Sequence, residues 1–322
     1  MNRKDKTILK IKDLEVIYPV RMGLVKAVDK VGLELKKGQT LGLVGESGCG
    51  KSTLGFSILK LIPPPGKIIG GEIIFDGEDL VKKTEKKMIK IRGKRISMIF
   101  QDPMTSLNPL MRIGDHIVET ILTHEKELNK KEAKKRAEDL VDRLGISKAR
   151  LNDYPHQFSG GMRQRVMIGL ALALNSDLII ADEPTTSLDV IVEAQILDLL
   201  KELRSTYELT IILITHNMGI VSELVDRIAV MYAGKIVEIA DCFPLFEKPL
   251  HPYTVGLLKS IPNISIEKHD LETMLGSPPD LINPPSGCRF HPRCTKIMKK
   301  CKLYEPPLKE VRENHFVRCW LY

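Results

Sequence analysis

The sequence predicts an α/β domain that carries a helical insertion and ends in a small extension rich in proline and cysteine. Three observations predict it. Short runs of Val, Ile and Leu recur along the chain, and one of them, Thr40–Val44, leads into a glycine loop and then a helix. Between Pro103 and Leu174 the hydrophobic period becomes helical. After about Pro262, proline pairs and four of the six cysteines dominate.

Ile8–Tyr18 and Val25–Leu35 read as β segments, and Thr40–Val44 as a short apolar strand. Thr53–Leu61 continues as a helix, stopped by Pro63-Pro64-Pro65. Ile68–Phe75 followed by Asp76-Gly77 is strand then turn, and Ile96–Phe100 is a further strand. In the helical stretch, Ala133, Ala137, Leu140, Val141 and Leu144 share one face, with charge opposite. Strands return at Leu178–Ala181, Thr210–Thr215, Arg227–Tyr232 and Lys235–Ile239, with an amphipathic helix over Ile191–Arg204. The expected division is a main domain over 7–262, with its helical part at about 102–175, and an extension over 263–322. The extension has too little apolar content for a core of its own, so a metal staple is expected to support it.

Composition limits the functional classes. No apolar run reaches the roughly 18 residues that a spanning helix needs. Met1–Lys6 is charged, with no apolar stretch behind it, so no secretory signal is expected. The net charge of +8 reads as a lysine-rich solvated surface, because no nucleic-acid-reading motif accompanies it. Nucleic acid is therefore not an expected partner.

Gly45-Glu46-Ser47-Gly48-Cys49-Gly50-Lys51-Ser52 fits G-x-x-x-x-G-K-[ST] between an apolar strand and a helix. Glycines let backbone N–H groups turn inward around phosphates, and the following helix adds partial positive charge. Lys51 is expected at the β- and γ-phosphates and Ser52, next to Thr53, on Mg²⁺. Asp182-Glu183 ends an apolar strand, where open α/β sheets bind ligands. Asp182 is expected in the Mg²⁺ shell, and Glu183 as the base that orients the attacking water. His216 follows another apolar strand and can donate a hydrogen bond to the γ-phosphate or that water. Gln101 ends a third and can reach Mg²⁺ or the water through its amide.

With these motifs in place, the chain resembles an ATP-binding cassette (ABC) ATPase. Ser159-Gly160-Gly161-Met162-Arg163-Gln164 is similar to that family's signature sequence, departing from it at Met162 where Gln is frequent. The resemblance implies a P-loop fold of the ABC type with an antiparallel β subdomain. It also implies that Ser159, Gly160 and Gly161 face the ATP held by a second cassette, identical or homologous. Ser187-Leu188-Asp189 resembles the loop that crosses such a dimer, with Asp189 linking the two sites, and Tyr18 is placed like the aromatic that stacks on adenine. Gln101–Pro109, His251-Pro252-Tyr253-Thr254 and Gly287–Cys294 are similar to segments of the oligopeptide/dipeptide importer ATPases. The implied role is an ATPase at the cytoplasmic face of the membrane. It would act beneath two permease subunits and, through them, serve an extracytoplasmic solute-binding protein. Import of nickel or another small solute is the alternative, and a soluble nucleic-acid-associated ABC ATPase a more distant one.

Cys288, Cys294, Cys301 and Cys319 are spaced C-x5-C-x6-C-x17-C, neither a knuckle nor a ferredoxin run. Four thiolates could hold a 4Fe-4S cluster or one Zn²⁺. The resemblance to the importer tail favours 4Fe-4S.

Overall fold

A computed structural model describes residues 6–186, 188–260 and 274–322. In chain order the strands and helices are β1 (Thr7–Val20), β2 (Gly23–Lys36), β3 (Thr40–Val44), α1 (Lys51–Ile58), β4 (Lys67–Phe75), β5 (Glu78–Asp79), α2 (Glu85–Ile91) and β6 (Ile96–Ile99). They continue with α3 (Pro103–Ser106), α4 (Ile113–His124), α5 (Lys130–Arg143), α6 (Gly160–Leu172), β7 (Leu178–Asp182), α7 (Val190–Tyr207) and β8 (Thr210–Thr215). The last are α8 (Met218–Leu224), β9 (Arg227–Tyr232), β10 (Lys235–Asp241), α9 (Cys242–Glu247), α10 (Pro252–Lys259), α11 (Lys299–Leu303), β11 (Lys309–Arg312) and β12 (His315–Val317). The chain forms two compact units: residues up to Lys82 together with Leu213–Tyr322, and Lys83–Ile212.

In the first unit an antiparallel sheet runs β2-β1-β4-β5. Leu9, Ile11, Leu14 and Val16 of β1 are buried, and the strict alternation slips between Ile11 and Leu14, where Asp13 takes φ 44° and the β1–β2 register shifts. Here too β9 pairs in parallel with β3, and β10 pairs antiparallel with β9 on one side and β12 on the other. β3 is buried along its whole length, as expected of a central strand of a covered sheet.

The extension joins the sheet of the first unit. β12 hydrogen-bonds to β10 through Glu238↔Val317 and Ile239↔Phe316, and β11 continues the ladder. It therefore shares the core of the first unit, with Phe290 and Val317 buried, and needs no core of its own. Polar anchors add to this. Arg289 donates to the Asp29 carboxylate and to the Ala233 carbonyl, while Lys235 reaches Glu305 at 2.7 Å and Arg318 reaches it at 3.0 Å.

In the second unit β6 and β7 pair in parallel, Ile96↔Leu178 to Ile99↔Ala181. The helices are capped as their sequences direct. Asn129 and Glu132 form a capping box at α5, whose Ala133, Ala137 and Val141 are buried at i, i+4, i+8. α6 buries residues on almost every side, including Gln164, Val166, Met167 and Ile168, so it is an interior helix of this unit. No helix among the described residues is long and apolar enough to cross a membrane.

Candidate functional site

The first unit holds the glycine loop. Gly50 sits at φ 106° as the N-cap of α1, where an added Cβ would lie 2.0 Å from the Ala27 carbonyl oxygen. Only glycine fits there. Lys51 is 5% exposed, and its Nζ donates to the carbonyls of Gly45 (2.8 Å) and Glu46 (3.0 Å). The ammonium thus lies inside the arch of the loop, held by carbonyls that an entering phosphate would replace. Burial pushes the Cys49 thiol up despite Lys51 nearby, so it stays a neutral packing group. Tyr18 brings its hydroxyl to 3.5 Å from Thr53 Oγ1, so this aromatic stands beside the loop's helix. His216 is exposed at the end of β8, just ahead of α8, whose N-cap is Asn217.

The second unit holds the acidic pair. Asp182 is the buried last residue of β7. Glu183 follows in the left-handed region at φ 46°, an unfavourable conformation for a non-glycine residue that turns its side chain off the strand line. Its Oε2 accepts from Gln101 Nε2 and from Thr186 Oγ1, each at 2.9 Å. Two neutral donors on one carboxylate oxygen fix its direction. The structure therefore brings Gln101 and Glu183 together. Thr186 was not expected. A Thr three residues past the glutamate is the only signal, and it is too common to read.

Ser159 caps α6, its Oγ accepting from the Met162 N–H at 3.4 Å. Gly161 approaches α7 so closely that a Cβ would meet Val192 Cγ1 at 2.4 Å. Asp189 caps α7, accepting from the Val192 N–H at 3.0 Å. Gly161 thus lies against the first turn of α7, the helix that Asp189 caps. Ser187 lies outside the described residues, as does the expected boundary between 262 and 263.

The expectation of a 4Fe-4S cluster, and its Zn²⁺ alternative, at Cys288, Cys294, Cys301 and Cys319 does not hold. Among the described residues no group of three or more His, Cys, Asp or Glu side chains is gathered to hold a metal ion. Nor is any of the six cysteines in a disulfide. Burial pushes the Cys288 thiol up to about 11 and raises Cys294 and Cys319 as well. Strand pairing and the arginine anchors hold the extension where a metal staple was expected.

A parallel strand ending in a phosphate-type loop, a second ending in Asp-Glu, and an N-capped Ser-Gly-Gly helix define a P-loop ATPase of the ABC class. The ABC transporter family model matches residues 28–186, and that of the oligopeptide/dipeptide transporter C-terminal region matches 237–301. The oligopeptide transport ATP-binding protein OppD of Bacillus subtilis is 50% identical over 98% of this chain and 88% of its own length. The dipeptide transport ATP-binding protein DppD of the same organism is 46% identical over 98% of this chain and 94% of its own length. The dimeric structure of the bacterial ABC transporter cassette MJ0796 matches with a TM-score of 0.66 at 28% identity, over 73% of this chain and 99% of that one. The chain belongs to the oligopeptide/dipeptide transport ATP-binding family of ABC transporter ATPases.

Proposed function

We propose that this chain hydrolyses ATP to drive import of oligopeptides or dipeptides, paired head to tail with a second cassette beneath two permease subunits at the cytoplasmic face of the membrane. The observation that carries the cargo reading is that similarity to peptide-transport ATPases runs through 98% of the chain, extension included. The division of labour follows from the residues. In the first unit, the backbone of Gly45–Ser52 and Thr53 cradles the phosphates, Lys51 pairs with the β- and γ-oxygens, Tyr18 stacks on the base, and His216 donates to the γ-phosphate. In the second unit, Glu183 polarises the attacking water, and Gln101 holds that carboxylate in place. Ser159, Gly160 and Gly161 present a capped helix N-terminus to the partner's nucleotide, and Asp189 sets the neighbouring helix.

Ser52 in the first unit offers a hydroxyl oxygen, and Gln101 and Asp182 in the second offer an amide and a carboxylate oxygen, each the kind of hard donor that Mg²⁺ prefers. When bound, Mg²⁺ neutralises charge on the transferring phosphate. The test is reconstitution of the chain with its co-purified membrane subunits in lipid vesicles. ATPase activity should rise when peptide-loaded binding protein is added. Stimulation by DNA or RNA instead, with no membrane subunits co-purifying, would contradict this reading.

A further inference from the structure

We infer that Arg293 of the C-terminal extension and Tyr253 of the His-Pro-Tyr segment are positioning residues for ATP binding, which clamp Glu46 of the glycine loop from its side chain and its backbone. The inference rests on the reading of Gly45–Ser52 as the phosphate loop and adds a role for the extension.

Arg293 lies 247 residues from Glu46 in sequence. Its Nη1 donates to Glu46 Oε2 at 2.8 Å and its Nη2 to Oε1 at 3.0 Å, a two-pronged guanidinium–carboxylate pair. Its Nε donates to the Leu275 carbonyl at 3.0 Å, Nη1 also lies 3.5 Å from the Tyr232 hydroxyl, and the guanidinium carbon stands 5.8 Å from the centre of the Tyr232 ring. The Arg293 side chain is 6% exposed and that of Glu46 25%, so the fork is part-buried.

Tyr253 reaches the same residue from the other side. Its hydroxyl accepts the Glu46 backbone N–H at 2.9 Å. Tyr253 is fully buried, and its ring packs on Tyr232 (4.6 Å between centres) and on Phe290 of the extension (5.5 Å). His251 fixes the start of its helix, Nδ1 accepting the Tyr253 N–H at 3.1 Å. Two independent segments therefore converge on one loop residue.

Glu46 is an awkward residue for a loop that must receive a polyphosphate. Its carboxylate would repel the ligand if left uncompensated. The Arg293 fork supplies the opposite charge and fixes the carboxylate's direction, and the Tyr253 hydroxyl fixes the peptide that carries it. Arg293 of the extension thereby sets the charge of the loop, and Tyr253 of α10 sets its shape.

The test is titration of the full-length chain with a fluorescent ATP analogue. Arg293→Ala should raise the Kd about tenfold, the order expected for one uncompensated charge beside a polyanion. The loss should shrink at high salt, which screens that charge. Glu46→Gln introduced into Arg293→Ala should recover most of the loss, with Glu46→Gln alone as the baseline. A purely structural role for Arg293 would not be relieved by altering Glu46. Tyr253→Phe should weaken binding without such relief, because it acts on the backbone. Wild-type affinity in folded Arg293→Ala, or a double variant as weak as Arg293→Ala, overturns the clamp. If Arg293→Ala does not fold, Arg293→Lys replaces it. That variant keeps the charge and loses the fork, so it should weaken binding about threefold. Unchanged affinity in Arg293→Lys would overturn the clamp equally. Lys51→Ala, run alongside, should abolish binding. Retained binding there would sink the phosphate-loop reading and is distinct from a failure of the clamp.

Discussion

Replacing Glu238 with Leu should open the junction between β10 and the His-Pro-Tyr helix. Glu238 is fully buried, and its carboxylate accepts three hydrogen bonds. Leu250 N–H donates to Oε1 at 2.8 Å, His251 N–H to Oε2 at 2.9 Å, and His315 Nε2 lies 2.7 Å from Oε1. Leucine fills the volume but accepts nothing. Two buried backbone donors are orphaned at about 1–3 kcal/mol each, for a total of about 4 kcal/mol. Each 1.4 kcal/mol is tenfold in an equilibrium, so exchange of the Leu250 and His251 amides should accelerate by roughly a thousandfold. Glu238→Gln, which keeps one acceptor oxygen, should fall between. The assay is hydrogen–deuterium exchange read by mass spectrometry on the peptide covering 245–255. Unchanged protection in Glu238→Leu would show that the two N–H groups find other acceptors and that this carboxylate is not the pin.

Three further outcomes follow from the geometry. Burial holds His251 down to about 4 from its ordinary 6.5, and its Nδ1 caps a helix only while unprotonated. The unfolded chain therefore takes up this proton first, so the stability is present above about pH 6.5 and about 3 kcal/mol of it is lost as the pH falls toward 4. His251→Asn, which caps without titrating, should show a shallower loss in urea unfolding across that window, and parallel curves would refute it. Thr186→Val removes one of the two donors on Glu183 and should lower kcat about tenfold with little change in KM, measured by phosphate release. A rise in KM alone would place Thr186 in ground-state binding. Gly161→Ala drives a methyl into Val192 and should cut steady-state ATPase activity strongly, with partial recovery in Gly161→Ala/Val192→Ala. An active single variant would show that the contact yields.

Legibility in the sequence tracked how local the cause was. Thr210–Thr215 and Arg227–Tyr232 are strands as expected, because unbroken β-branched and apolar runs in a covered sheet leave little else for the chain to do. The glycine loop was equally plain, since its φ values demand glycine at fixed spacing. The extension was misjudged. Lys309–Arg312 is polar and mostly exposed, and His315–Val317 is three residues long, so neither carries a strand pattern. They are strands because β10 offers an edge, a fact of tertiary structure alone. The expectation of a metal staple rested on the extension's low apolar content, whereas pairing with β10 gives it a share of the first unit's core. The Arg293–Glu46 fork and the Thr186 contact were invisible for the same reason, as nothing near either residue signals its partner. The place of Glu183 after a strand makes it the expected base, but nothing in the sequence signals its left-handed backbone, since glutamate rarely adopts it.

On the proposed function, Glu183 drives hydrolysis at a site completed by a partner cassette. The direct measurement is light scattering of the Glu183→Gln chain, purified with its cassette partner, in ATP and in ADP. Turnover should be lost, the pair should persist in ATP, and it should separate in ADP. Undiminished turnover, or separate monomers in ATP, would contradict the account.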